Sequence, residues 1–191
     1  ILLPVLCSPL RAVAWIERHG MSGATMQSEF ELWTAAPYRY RLVRVSGSES
    51  GGQARYTAIF EKSTKTTAWT ASHGMTAAEC ISTHNTLHAS GYRIVWLDGF
   101  GVDSTAYYNA IWEHTSGSSQ RLRLGETLSA HQSADATNNA AGYYLTDVCS
   151  FSVNGTPLHA GIWAVARSSP VEVRYSLSSA AYQTEFNSMG A

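Results

Sequence analysis

The sequence contains little charge, little lysine and little cysteine. Only 14% of its 191 residues are charged, and only two are lysines, Lys62 and Lys65, so no basic patch can form and we expect no nucleic-acid partner. Three cysteines, Cys7, Cys80 and Cys149, have no metal-binding spacing and permit at most one internal disulfide. Since 45% of the residues are hydrophobic, we expect a globular domain.

Long hydrophobic runs and catalytic motifs are also missing. The apolar stretch Ile1 to Cys7 is too short to cross a bilayer, so we expect no membrane partner. The chain has no S-x-x-K, G-x-x-x-x-G-K, H-E-x-x-H or paired C-x-x-C motif. The segment GSESG at Gly47 to Gly51 has Glu49 where a nucleophile elbow has serine, and we predict a hairpin loop there. We therefore expect no cofactor, no metal and no catalytic residue.

An internal repeat is the strongest feature present. Residues Tyr40 to Glu61 align without gaps on Tyr92 to Glu113, a period of 52, and more loosely on Tyr143 to Ala164. Each copy has two segments rich in β-branched and aromatic residues around a Gly, Ser, Asp and Asn-rich loop, which predicts a β-hairpin.

A helix is predicted after each hairpin, with a hydroxyl residue at its N-cap: Ser22, Thr76, Thr127 and Ser178. Apolar residues follow four, eight and eleven positions after the first and fourth caps and form one helical face: Met26, Phe30 and Trp33, then Tyr182, Phe186 and Met189. Thr76 and Glu79 have capping-box spacing.

The predicted fold is therefore α+β, with four degenerate strand-strand-helix repeats of about 52 residues, antiparallel hairpins and helices packed on one side. We expect one domain, 1–191, with units at roughly 1–37, 38–90, 91–141 and 142–191. Ile1 to Cys7 reads as half a hairpin, whose missing strand a following segment or another copy would supply, giving a homo-oligomer in the second case. The sequence leaves open whether the repeats close into a pseudo-symmetric ring.

The phrase His-Gly-Met occurs at 19–21 and at 73–75, just before two predicted helices. Its histidine is replaced by Leu124 and Tyr175 in the other units, which favours a structural role over shared chemistry. The glycine is predicted to supply a turn conformation, and the methionine to staple the helix start. Trp15 and Trp69, which precede the phrase, are predicted to be core residues.

The third helix departs from the repeat, because polar residues occupy its otherwise apolar face. This candidate polar site consists of Glu126, His131, Asp135 and Asn138. Buried without partners, each group would cost about 1–3 kcal/mol, so all must be paired, solvated or bound. Either they form a polar pocket, a weak metal site or a subunit contact, or the helix is rotated or exposed. His84 and His88 form a second, weaker pair.

The phrases YTAIFEKS, AWTASHGMT, GYRIVWLDGF and YYNAIWE resemble the tandem repeat in the N-terminal domain of fungal polyglycine hydrolases and related bacterial proteins. The resemblance implies a secreted, extracellular protein in which a C-terminal β-lactamase-like domain cuts Gly-Gly bonds in plant chitinase linkers. The family's nucleophilic serine and lysine belong to that second domain, so none is carried over here. It also implies a disulfide between Cys80 and Cys149 and a glycan at the Asn154 sequon.

Three functions follow as hypotheses. The first is a non-catalytic domain that positions the catalytic domain or recognises its substrate, a chitinase or a cell-wall glycan. The second is an autonomous carbohydrate- or protein-binding module, with candidate aromatic residues Trp96, Phe100, Tyr107 and Tyr108, whose alternative role is packing against helices. The third is a small enzyme that uses Glu126, His131 and Asp135.

Overall fold

The computed structural model describes residues 14–115, 117, 119–165 and 173–189. These residues form nine strands and four helices, in the following order: β1 (Trp15–Met21), α1 (Gly23–Thr34), β2 (Tyr40–Ser50), β3 (Gln53–Lys62), β4 (Trp69–Met75), α2 (Ala77–Ala89), β5 (Tyr92–Val102), β6 (Thr105–His114), β7 (Gln120–Glu126), α3 (Leu128–Ala140), β8 (Tyr143–Val153), β9 (Thr156–Val165) and α4 (Ser179–Met189). No helix in these ranges is long and apolar enough to cross a membrane.

The strands form three separate antiparallel sheets, ordered β1-β3-β2, β4-β6-β5 and β7-β9-β8. Each sheet joins the strand before a helix to the hairpin after it, and within the described ranges the sheets do not close into a ring. The α+β fold of repeated hairpins and helices is thus confirmed, but the prediction of two strands per unit is wrong. The leading strands β1, β4 and β7 were missed because each is only seven residues long and ends in a helix-entry phrase.

Strand register confirms the gapless alignment of the three hairpins. Gly47, Gly99 and Ser150 lie opposite Tyr56, Tyr108 and His159, respectively. The loop predicted at Gly47–Gly51 is mostly strand, however, because β2 continues to Ser50. The turn consists of Gly51 and Gly52, whose φ angles of 62° and 72° suit the two-residue turn that matches strand twist.

Helix starts follow the sequence prediction closely. All four predicted caps accept a hydrogen bond from the backbone N–H three residues later, at Thr25, Glu79, Ala130 and Ala181. The capping box of Thr76 and Glu79 is present, with the carboxylate accepting from the Thr76 N–H at 2.8 Å. Local chemistry therefore fixes where each helix begins.

Successive units pack against one another through residues of the hairpins. The ring of Phe100 fills the space beside Gly47, where a Cβ atom would lie 2.2 Å from it, and Phe151 lies beside Gly99 in the same way. Trp96 Nε1 donates to the Val45 carbonyl at 2.8 Å. Because glycine leaves room for the next unit's ring, the units share cores and do not behave as isolated domains.

The fourth helix carries the expected apolar face, but no described residue covers it. Tyr182, Phe186 and Met189 are 59%, 61% and 62% exposed, whereas Met26 of α1 is fully buried. The core prediction for Trp15 is wrong, since its side chain is 58% exposed. The hairpin half predicted at Ile1 to Cys7 lies outside the described residues.

Candidate functional site

The His-Gly-Met phrase lies at the end of a leading strand, where it joins one unit to the unit before it. His73 packs edge-on against Tyr56 of the preceding sheet, with ring centroids 4.9 Å apart. At the equivalent position Tyr175 packs against His131 at 5.6 Å. His19 has no such neighbour among the described residues, and its side chain is 63% exposed. The contact is one of packing, and leucine or tyrosine can replace histidine in it.

In all four units, the residue that follows the histidine position of this phrase adopts a left-handed conformation. Gly20, Gly74 and Gly125 have φ angles of 63°, 64° and 66°, and Ser176 has 52°. The predicted turn role of the glycine is therefore confirmed, and Ser176 shows that a residue with a side chain can also take this position at some conformational cost.

The third helix is neither rotated nor exposed, so that alternative is wrong. His131 is fully buried and Asn138 is 5% exposed, because α3 turns its polar face toward β8 and β9. Each of the four side chains of the candidate polar site makes at least one hydrogen bond within the protein. Pairing, one of the three outcomes expected for buried polar groups, is the one observed.

Glu126 and His131 replace the pair of apolar residues that staple the other helices. The ring Nδ1 of His131 donates to Glu126 Oε2 at 3.2 Å, at the positions that Met21 and Met26 occupy in the first unit. The His131 ring also lies 5.1 Å from the Trp163 ring, centroid to centroid. Its Nε2 is buried without a hydrogen-bond partner among the described residues.

Asp135 accepts a hydrogen bond of 2.8 Å from the indole Nε1 of Trp163. In the second unit the equivalent residues are His84 and Trp112, and His84 Nδ1 and Trp112 Nε1 are both buried without a partner in the described structure. In the first unit two phenylalanines, Phe30 and Phe60, take these positions. The helix residue and the strand residue therefore change together between units.

Asn138 forms a hydrogen bond with an arginine on the leading strand. Its Oδ1 accepts from Arg121 Nη1 at 2.8 Å, and the guanidinium carbon lies 3.9 Å from the centroid of the Tyr143 ring. Arg121 is on the leading strand β7, so this contact ties the strand to the last turn of α3. Sequence reasoning missed Arg121, although an arginine facing a polar helix position was a usable signal.

A groove of about 730 Å³ runs between α2 and α3 along β7. Asn138, Glu126, Arg121 and Arg123 line one side, and Ile81 and His84 line the other. In the second unit, β4 and α2 alone line a pocket of about 310 Å³ that has no charged side chain. The departure of the third unit from the repeat thus creates a larger, charged groove.

The predicted pair of His84 and His88 has ring centroids 5.4 Å apart. Burial lowers the pKa of His84 to about 4, with smaller contributions from Arg93 and from His88 in its protonated form. His88 Nε2 accepts from the Gln120 N–H at 3.3 Å, and burial lowers the pKa of His88 as well. Both rings are therefore mainly neutral at pH 7, and His88 links the second and third units through Gln120.

The four candidate aromatic residues lie mainly in the core. Phe100 is 3% exposed and Tyr108 is fully buried, so neither offers a free ring face, contrary to the expectation of exposed aromatics. Trp96 and Tyr107 are half-buried and pack against the hydrophobic core of the first unit. Arg44 also covers one face of the Trp96 indole, 4.4 Å from its centroid.

Cys80 and Cys149 are free thiols in the structure and do not form the disulfide implied by the resemblance. Cys80 lies in the hydrophobic core of the second unit and Cys149 packs against that core, and burial raises the pKa of each thiol to about 12. Cys7 lies outside the described residues.

Asn154 is exposed at the tip of the third hairpin, in a left-handed turn followed by Gly155.

Sequence reasoning also missed Asp98, which links the first two units. Its Oδ2 accepts from the Gly47 N–H and from Asn109 Nδ2, both at 2.9 Å. Burial raises the pKa of this carboxyl group, while the two donors oppose the rise. In the described parts of the chain, no three His, Cys, Asp or Glu residues are placed to hold a metal ion.

The fold and the packing of its units define a tandem-repeat protein in which each unit completes its core with the next. A family model described as "Polyglycine hydrolase-like, structural repeat" matches residues 12–63, 66–115, 117–165 and 168–191. The chain therefore belongs to the polyglycine hydrolase-like structural repeat family and is a structural repeat domain. The first three matched ranges each contain one complete three-stranded sheet. No match is found among curated proteins.

Proposed function

We propose that this chain is the non-catalytic repeat domain of a secreted fungal serine endopeptidase of the polyglycine hydrolase type. In this role it positions a β-lactamase-like catalytic domain or recognises the polyglycine-linked chitinase that the domain cleaves. The observation that carries the proposal is the fourfold match to a structural repeat of that family, which extends over nearly the whole chain.

The geometry of the candidate polar site supports a structural use of its groups. Asp135 pairs with Trp163 and Glu126 pairs with His131, so Asp135 does not orient the histidine. His131 is fully buried, which leaves no room for a substrate atom beside it. The small-enzyme hypothesis built on Glu126, His131 and Asp135 is therefore not the function that this site favours.

Binding measurements on the isolated chain test the accessory role. A chitinase with a polyglycine linker and the same chitinase with a Pro-rich linker are each titrated onto the immobilised chain, and a β-lactamase-like catalytic domain of the family is titrated separately. We expect saturable binding of the chitinase with the polyglycine linker or of the catalytic domain. Absence of binding to both would contradict the accessory role.

An autonomous binding module is the second candidate, and the charged groove of the third unit favours it. A module of this kind would bind its ligand without any catalytic domain. Chitin oligosaccharides serve as the carbohydrate probe, with tryptophan fluorescence as the signal. A response confined to sugars would favour this candidate over the accessory role.

A further inference from the structure

The outer edge of β7 presents unpaired backbone groups inside the 730 Å³ groove. The Val165 N–H donates to the Ser119 carbonyl, so alternation along this antiparallel ladder also directs the backbone groups of Arg121 and Arg123 toward β9. The N–H and C=O of Leu122 consequently point away from the sheet, into the groove. No described residue hydrogen bonds to them.

Several polar and charged side chains surround this edge. Arg121 and Arg123 project from β7 on the side that faces α3, and the Arg123 side chain is 60% exposed. Glu126, the one carboxylate on the lining, pairs with His131 at 3.2 Å and lies 3.9 Å from Arg123 Nε. With two guanidinium groups and one carboxylate on its lining, the groove has a positive net charge.

We propose that this groove binds an extended peptide, which adds as a strand to the free edge of β7 and places an acidic side chain near Arg123. Leu122 gives the peptide one backbone donor and one acceptor, and the guanidinium group gives charge complementarity. Ala130 and Ala134 on α3 leave space for small side chains beside the acidic one.

The groove is specific to the third unit. In the second unit, Thr70 and Ser72 occupy the positions of Arg121 and Arg123, and the space is about 310 Å³. At the first junction, Phe30 packs on Trp69 with centroids 5.7 Å apart, whereas the corresponding residues at the second junction are His84 and Gln120. Loss of that aromatic contact is what opens the space between α2 and α3.

This inference deepens the proposed function by naming a site and a ligand class, and it concerns binding alone. The probe is the blocked peptide acetyl-Ala-Asp-Ala-Ala-amide, titrated to about 10 mM into the full ¹⁵N-labelled chain and followed by amide chemical shifts. We expect saturable shifts centred on Leu122 and Arg123, with a Kd of about 1 mM or below. The peptide with N-methylated amides should not bind, because it cannot pair with the strand edge.

Ser133 and Ser82 provide a matched pair of variants, since both are exposed and stand at the same helical position in units three and two. Ser133→Trp fills the proposed groove and should weaken binding about tenfold or more. Ser82→Trp should leave binding unchanged. Arg123→Ala should weaken binding of the Asp peptide but not of the corresponding Asn peptide.

Three outcomes would overturn the inference: no saturable shift, equal binding of the N-methylated peptide, or equal effects of the two tryptophan variants. Each of them would leave the accessory role intact, because binding of the chitinase and of the catalytic domain is measured separately. Conversely, peptide binding at this edge would stand even if both of those partners failed to bind.

Discussion

The indole N–H of Trp163 donates to the carboxylate of Asp135 at 2.8 Å, and this bond explains why a helix face that is apolar elsewhere carries a charge here. Removal of the acceptor should leave a buried indole donor unsatisfied. We expect Asp135→Ala to lower the free energy of unfolding by about 1–3 kcal/mol. Urea denaturation measures it, and Gln132→Ala, at an exposed position of the same helix, is the control. Equal stability of both variants would contradict the role given to Asp135.

Glu126 and His131 should behave as a coupled pair. Glu126→Met alone leaves the buried His131 ring without its partner and should cost about 1–3 kcal/mol. The double variant Glu126→Met, His131→Met restores the methionine staple of the first unit and should be close to the wild type in stability. A double-mutant cycle by chemical denaturation measures the coupling. Additive effects of the two substitutions would show that the pair does not act as a unit.

The pKa of His84 makes stability depend on pH in a defined window. Its pKa is about 4 in the fold against 6.5 for an unperturbed histidine, so the unfolded chain takes up a proton between pH 6.5 and pH 4 that the folded chain does not. The free energy of unfolding should therefore fall by about 2 to 3 kcal/mol as the pH drops through this window, and His84 should contribute no change above it.

His84→Phe isolates this contribution, because phenylalanine occupies the equivalent position in units one and four. The variant should lose part of the pH dependence, while His73, His88 and His159, whose pKa values are also lowered, keep the remainder. Thermal or urea unfolding at pH 4.5 and pH 7.5 gives both values. A pH dependence identical to that of the wild type would rule out His84 as a source.

Equivalent phenylalanines on the first and fourth helices should differ in their effect on stability. Phe30 packs on Trp69, and its replacement by serine should cost about 2–3 kcal/mol. Phe186 is 61% exposed, so Phe186→Ser should change stability by about 0.5 kcal/mol or less. Unfolding of the full chain measures both. A comparable loss in the two variants would show that a core covers the fourth helix.

The exposed sequon at Asn154 should carry a glycan when the chain is secreted. It is exposed at a hairpin tip, where an oligosaccharyl group meets no buried surface. Expressed through a eukaryotic secretory pathway, the chain should carry a glycan that a peptide N-glycosidase removes, as a mass shift shows. The shift should vanish in Asn154→Gln. An unmodified wild-type chain in the medium would contradict the glycan prediction.

Local signals in the sequence predicted the parts of the fold that local chemistry determines. Four N-caps and the hairpin register follow from hydroxyl residues and from an apolar pattern within about 20 residues. The leading strands do not follow from local signals, because they pair with a β-strand more than 30 positions later, as Trp15 does with Glu61. The exposure of Trp15 was missed for the same reason.

The candidate polar site was predicted in its residues but not in its use. Spacing placed Glu126, His131, Asp135 and Asn138 on one face, and all four belong to the contacts of α3. The partners of Asn138 and Asp135 are Arg121 on β7 and Trp163 on β9. Because both lie outside the helix, the periodicity of the helix could not predict them. The Cys80–Cys149 bond, implied by resemblance alone, has no counterpart in the structure.

We propose that the polar groups of this repeat domain hold the fold and perform no hydrolysis. Incubation of the isolated 191-residue chain with a polyglycine-linked chitinase, followed by mass spectrometry of the products, tests it most directly. We expect the linker to stay intact at all times. Cleavage between glycines that Glu126→Gln or His131→Phe abolishes would contradict it.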